Sequence, residues 1–139
     1  MIAALYHNTN VTPDNSRFDH TRDLTTQVCI DRDWTLGPVF RDFGSGFRTD
    51  RPGLSAMLDT ADAGAFDVLI VETASVLSRD VSALSTIIER LGASGISIYG
   101  LLAPVPLVPQ LVERFRAGLR DALSREQRRR ALASRKFGQ

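Results

Sequence analysis

The sequence predicts an α/β fold, with a mainly parallel central sheet of about four strands between helices. Three observations carry that expectation. Short β-branched runs alternate with stretches of helical period along the chain. The run Asp67-Val68-Leu69-Ile70-Val71-Glu72 is apolar enough for a strand buried on both faces, which is the habit of parallel sheets. The stretch before it carries helix start and stop signals, so strand, helix and strand follow one another as a right-handed βαβ unit requires.

The elements follow in order. Ile2 to Tyr6 reads as the first strand, and His7 to Asn15 as a polar loop rich in turn formers. A helix is expected from Ser16 to Arg32, with Phe18, Leu24 and Val28 facing inward. Asp33 and Trp34 end it, and Trp34 is expected to pack. Leu36 to Phe40 is the second strand, entered through Gly37 and Pro38.

Arg41 to Gly46 is a glycine-bearing loop. Asp50 is the expected cap of the next helix, because Pro52 suits only a first turn, where its missing N–H costs nothing. Leu54, Met57, Leu58 and Ala61 repeat at helical spacing, and Gly64 supplies the stop. After the third strand comes the polar loop Thr73 to Arg79. Ser78 or Asp80 caps a helix with Val81, Leu84, Ile87, Ile88 and Leu91 inside and Gly92 as its close. Ile96 to Leu102 is the fourth strand.

Pro104, Pro106 and Pro109 forbid regular helix beyond a first turn. From Pro109 nothing breaks a helix before Gly138. Val112, Phe115, Leu119, Ala122 and Leu123 form its apolar stripe, and the far end is almost wholly polar. Such a helix of about 27 residues would reach roughly 40 Å.

The chain has 139 residues, of which 43% are hydrophobic, so one domain with a real core is expected. The net charge of +1 is unevenly spread. Residues 112–139 hold nine Arg and Lys against three acids, a local +6 that leaves −5 for the rest. A basic tail on a mildly acidic body points to a polyanion partner. Cys29 is the single cysteine, so no disulfide framework exists. With His7 and His20 the only histidines, no metal-ligand spacing is present, and neither a metal nor a cofactor is expected. Nothing resembles a signal peptide or a membrane-length apolar run, so a cytoplasmic protein with no membrane partner is the expectation.

In parallel sheets ligands bind at the carboxyl ends of the strands. The loops Arg41–Gly46 and Thr73–Arg79 leave such ends. Ser45, Arg51, Ser78 and Arg79 are therefore candidates to converge on an anion.

Four motifs carry a resemblance. They are Asp42-Phe43-Gly44-Ser45-Gly46, Thr49-Asp50-Arg51-Pro52-Gly53-Leu54, Asp67-Val68-Leu69-Ile70-Val71 and Leu77-Ser78-Arg79-Asp80. In this order and spacing they resemble the catalytic domain of serine recombinases, the family of resolvases and DNA invertases. The match is good from Val39 to Leu102 and extends in outline to Met1. It implies a resolvase-like three-layer domain over residues 1–106, followed by a long basic helix over 107–139. No helix-turn-helix domain is expected within the sequence.

The resemblance also says what is missing. The family's first strand ends in Tyr-x-Arg-x-Ser, whose Ser attacks a DNA phosphodiester and becomes linked to the 5′ phosphate. Laid on Leu5 to Asn10, the Arg falls at Asn8 and the nucleophile at Asn10. An amide nitrogen is no nucleophile, because its lone pair is delocalised into the carbonyl. The family's Asp-Arg-Leu-Ser-Arg reads here Ser75-Val76-Leu77-Ser78-Arg79. Ser45, Arg51 and Arg79 are the retained positions; Asn8, Asn10, Ser75 and Val76 are the substituted ones. A phosphoryl transition state needs several cations on its oxygens, so no catalytic residue is expected to function.

The expected protein is an inactive recombinase-like module for DNA recombination, acting by binding, regulation or dimerisation. The alternative is an active strand-cleaving domain with a substitute nucleophile, Ser45 or Ser75; a third option is a small-anion or nucleotide sensor. Arg125, Arg128, Arg129, Arg130 and Arg135 are the expected DNA contacts. Val112, Phe115 and Leu119 are the expected interface of a homodimer, or of a heteromer with an active recombinase.

Overall fold

A computed structural model of the chain describes residues 1–9, 15–44 and 50–105. Its elements are β1 (Ile2–Thr9), α1 (Asn15–Arg32), β2 (Thr35–Phe43), α2 (Pro52–Asp62), β3 (Val68–Val71), α3 (Val81–Ala93) and β4 (Ser97–Gly100). Asn10, Ser45 and the expected helix with its interface and DNA-contact residues lie outside the described residues.

The four strands form one parallel sheet in the order β2-β1-β3-β4. The α/β class and strand count are as expected. β1 and β3 are central and buried on both faces, which is why they read as unbroken apolar runs. Side-chain alternation splits the core into two layers. Ala3, Leu5, Val68 and Ile70 pack with Phe18 and Cys29 of α1. Ala4, Tyr6, Leu69 and Val71 point to the opposite face, toward α2 and α3, whose buried residues include Met57, Leu58, Ala61, Leu84, Ile88 and Leu91.

Several boundaries move. β1 runs through His7, Asn8 and Thr9, which the sequence assigned to a loop, because it pairs with β2 as far as Thr9 and Phe43. β2 is correspondingly longer than Leu36 to Phe40. β3 and β4 are shorter than the apolar runs that announced them.

α1 turns a different face inward than expected. Its buried residues are Phe18, Thr21, Thr25 and Cys29, while Leu24 and Val28 are only half-buried. Thr21 and Thr25 donate their hydroxyls to the carbonyls of Arg17 and Thr21, at 3.0 and 2.8 Å. A threonine satisfied in this way buries its methyl at little polar cost. Trp34 packs as expected, edge-on to Tyr99 with ring centroids 6.0 Å apart.

α2 begins at Pro52, but Asp50 is not its cap. Asp42, at the end of β2, accepts the Gly53 and Leu54 N–H groups at 2.8 and 2.7 Å. This carboxylate satisfies two orphan donors of the first turn from a neighbouring strand. Gly53 has to be glycine, since a Cβ there would lie 2.3 Å from the Arg41 carbonyl oxygen. α2 stops before Gly64, which has φ +74°, as expected. α3 is capped by Asp80, whose Oδ1 accepts the Ser82 N–H at 3.3 Å. It runs past Gly92 to Ala93, and Gly95 takes the left-handed turn instead, with φ +77°. No helix among the described residues is long and apolar enough to cross a membrane.

Candidate functional site

The chain leaves β1 for β2 on one side, while β3 and β4 extend the sheet on the other. The carboxyl ends of β1 and β3 therefore flank the point where strand order reverses, the usual ligand crevice of such sheets. His7, Asn8 and Thr9 end β1. Glu72, Thr73 and a short 3-10 turn over Ala74–Val76 follow β3.

On the α2 face a buried polar relay joins three elements. Arg51, only 6% exposed, directs Nε and Nη2 at the Tyr6 hydroxyl oxygen, at 3.2 and 2.8 Å. The Tyr6 hydroxyl in turn donates to Asp42 Oδ2 at 2.7 Å. Arg51 Nη1 donates to the Leu77 carbonyl at 2.5 Å, and Nη2 also donates to that of Val76. The guanidinium thus ties β1 and the loop after β3 to the start of α2. Burial, then the bond to Asp42, pushes the Tyr6 phenol well above its ordinary range.

On the α1 face a second cluster surrounds Phe18. Arg17 pairs with Glu72 at 2.8 Å, and the Thr21 hydroxyl shares its one proton between the Arg17 carbonyl and the other carboxylate oxygen, at 3.0 Å each. Burial opposes ionisation of Glu72, but the hydrogen bonds from Arg17 and Thr21 and the Arg17 charge outweigh it and hold its pKa below the usual value. His7 is buried, with Nδ1 3.3 Å from the Thr9 hydroxyl and its ring edge-on to Phe18. Burial keeps the imidazole neutral to lower pH than usual. Arg41, paired with His7 in the strand register, stacks its Cζ 3.7 Å from the Phe18 centroid. Sequence reasoning missed this cluster. Its signal was the alternation His7, Thr9 on an extended β1 facing Arg41 on an extended β2.

No group of three or more His, Cys, Asp or Glu among the described residues has the arrangement of a metal site.

The family model described as Resolvase, N terminal domain, matches residues 9–136. The chain belongs to that family. The fold agrees with solved structures. The N-terminal catalytic domain of TP901-1 integrase has 21% identity and a TM-score of 0.64, covering 73% of this chain and 77% of its own. The C-terminal catalytic domain of ISC1926 TnpA, an IS607-like serine recombinase, has 16% identity and a TM-score of 0.67, covering 99% and 98%. A resolvase family site-specific recombinase from Streptococcus pneumoniae has 11% identity and a TM-score of 0.57, covering 87% and 93%. No curated protein matches the sequence.

Within this resolvase-family domain, the positions named from the sequence fall in different settings. Asn8 shares the α2 face of β1 with Tyr6, pairs with Asp42 in the register, and has a buried Oδ1 without a partner. Arg51 is committed to internal oxygens, as above. Ser78 is buried, and its Oγ accepts the Asp80 N–H at 3.1 Å. Ser75 is exposed, its hydroxyl 2.8 Å from that of Thr73. The Val76 carbonyl, not its side chain, serves the relay. Arg79 is exposed and has no hydrogen bond or ion pair among the described residues. Arg51 and the Ser75–Ser78 loop are thus brought together, with Arg51 acting as a brace.

Proposed function

We propose that this resolvase-family domain serves DNA recombination as a catalytically inactive binding, regulatory or dimerisation module. The association with recombination rests on family membership, and the fold it shares with an IS607-like serine recombinase and a resolvase family site-specific recombinase is in keeping with it. The observation that carries inactivity is the identity of two residues in the sequence at and just beyond the first strand. Asn8 and Asn10 stand where the family's arginine and nucleophilic serine belong. Val76 and Ser75 remove a second cation and a carboxylate from the facing loop. The burial of Arg51 against Tyr6, Val76 and Leu77 supports the same reading, since each of its three nitrogens already has an internal acceptor. Loss of a nucleophile alone costs about 10⁶ in kcat where it has been measured.

DNA contact is assigned to Arg125, Arg128, Arg129, Arg130 and Arg135, and self-association or pairing with an active recombinase to Val112, Phe115 and Leu119. Contacts of the first kind are electrostatic and sequence-blind, and weaken steeply with salt. The deciding experiment incubates the purified protein with supercoiled DNA carrying candidate recombination sites. Neither nicked product nor covalent protein–DNA adduct is expected. Reproducible attachment through any side chain overturns the reading. A gel shift at two salt concentrations tests the DNA contact, and light scattering of Phe115→Asp tests self-association.

One observation favours the second reading. The Thr73 and Ser75 hydroxyls lie together at the end of β3, two residues before the retained arm of Leu77-Ser78-Arg79. In an active enzyme Ser75 would be the substitute nucleophile, and Ser75→Ala would abolish the adduct.

A further inference from the structure

Four buried polar side-chain atoms of the described residues have no hydrogen-bond partner: His7 Nε2, Asn8 Oδ1, Arg41 Nε and Arg41 Nη2. Three of them belong to the α1-face cluster, away from the Arg51 relay. Orphaned buried donors are costly, and on a guanidinium they are more costly still. Their arrangement is specific. Nε and Nη2 lie on the same edge of a guanidinium and form the fork that meets two oxygens of a carboxylate or phosphate. Stacking on Phe18 uses the face of the Arg41 plane, so a partner for this buried edge has to lie in that plane. The remaining nitrogen, Nη1, donates to Asn15 Oδ1 at 3.3 Å, a long bond at an exposed residue that exchanges readily.

His7 stands beside Arg41 in the strand register and is only 1% exposed. When Thr9 donates its hydroxyl to Nδ1, the ring proton sits on Nε2, so the third orphan is also a donor. Among the described residues the charges facing the cluster are Arg17, Arg22, Arg41 and Glu72; Arg17 is paired with Glu72 and Arg22 with Asp19. Of these, Arg41 has no carboxylate partner among the described residues, and it offers a fork beside a neutral donor.

We infer that Arg41 and His7 form a second anion site, on the α1 face of the sheet, that takes a phosphate group. The group is bound through the Nε/Nη2 edge of Arg41 and through His7 Nε2. It is either free phosphate or a phosphate of a DNA backbone. The site lies on the opposite face of the sheet from the Arg51 relay, and it stands whether or not the domain cleaves DNA.

His7 and His20 are the only histidines, and His20 is exposed on α1, so the imidazole NMR signals of the full chain supply a probe and its internal control. Inorganic phosphate is titrated at pH 7 against sodium chloride of equal ionic strength. The His7 ring signals are expected to shift saturably while those of His20 stay. Arg41→Lys keeps the charge but lacks the fork, and is expected to weaken binding about tenfold or more. A short DNA duplex added in place of phosphate identifies the source. A shift of the same His7 signals assigns a backbone phosphate, and a response to phosphate alone assigns the free anion. His7 signals that do not move, or that move only in parallel with His20, overturn the inference without recourse to any variant. Unweakened binding in a folded Arg41→Lys protein overturns it as well.

Discussion

Arg51 grips the Tyr6 hydroxyl through two nitrogens, at 3.2 and 2.8 Å, and the same hydroxyl donates to Asp42 at 2.7 Å. The Tyr6 oxygen is thereby fully used, and each neighbour depends on it. Removing it in Tyr6→Phe leaves a buried guanidinium edge and a carboxylate oxygen short of one partner. The expected loss is about 1–3 kcal/mol. Arg51→Ala removes the cation itself and also frees the carbonyls of Val76 and Leu77, so its loss is larger, about 3–5 kcal/mol. Urea unfolding of both variants checks the order. If Arg51→Ala is the milder of the two, Arg51 is not the brace described here.

Gly53 admits no side chain. Gly53→Ala places a Cβ within 2.3 Å of the Arg41 carbonyl oxygen, which is backbone and cannot swing aside. The start of α2 has to shift away from β2, which loosens the Asp42 cap with it. A loss of about 1–3 kcal/mol is expected, as for other overpacked sites. Thermal melting measures it. The same substitution at Gly64 meets no atom within 4 Å, and strains only the backbone at φ +74°.

The sheet was legible because its central strands are buried on both faces and so print as apolar runs. The polar architecture was not. Asp42 caps a helix that begins ten residues later, so no local pattern links it to Gly53 and Leu54. Asp50 looked like the cap because capping is usually read from adjacent residues. Thr21 and Thr25 line the core of α1 through hydroxyls bonded to their own helix, and an apolar count passes over them for Leu24 and Val28. At the site, the identities of Asn8 and Val76 were plain from the motif. That Arg51 faces inward was not, since its partners are a tyrosine 45 residues back and two carbonyls about 25 residues on.

Acid should destabilise the fold in two stages. The His7 pKa is lowered from 6.5 chiefly by burial, so the unfolded state takes up its proton first as pH falls. Its contribution is complete above pH 6.5 and is lost as pH falls through the depressed folded value. Glu72 is likewise lowered, from 4.5, so its contribution begins to go only below that pH. Burial raises Cys29 above 9.0 and Tyr6 above 10.0, so alkali destabilises from about pH 9 upward, first through Cys29 and then through Tyr6. Urea midpoints across pH should form a plateau between these limits. His7→Gln is expected to flatten the upper acid limb, Glu72→Gln the lower one, and Tyr6→Phe the upper part of the alkaline one.

Cys29 should report unfolding. It is buried and its thiol is pushed up by burial, so both access and thiolate fraction are low. Labelling by a thiol reagent at neutral pH is expected to be slow in buffer and fast in urea. Its rate should follow the fraction of opened protein. Fast labelling in buffer would mean that α1 opens independently of the sheet.

The proposed loss of chemistry is distributed, so a single reversion should not restore it. Asn10→Ser returns a hydroxyl to the nucleophile's position, but Asn8 and Val76 still deny the phosphate two cations, and Ser75 still replaces a carboxylate. Charge stabilisation at the equatorial oxygens is as necessary as the attacking atom. The expected result for Asn10→Ser is no covalent adduct with supercoiled DNA above background. Adding Asn8→Arg, Ser75→Asp and Val76→Arg together is the variant expected to show one, provided Arg51 still braces the loop through the carbonyls of residues 76 and 77, which those changes leave in place. An adduct from Asn10→Ser alone would show that the surviving Arg51 and Arg79 suffice, and that the unmodified chain is inactive for want of a single hydroxyl.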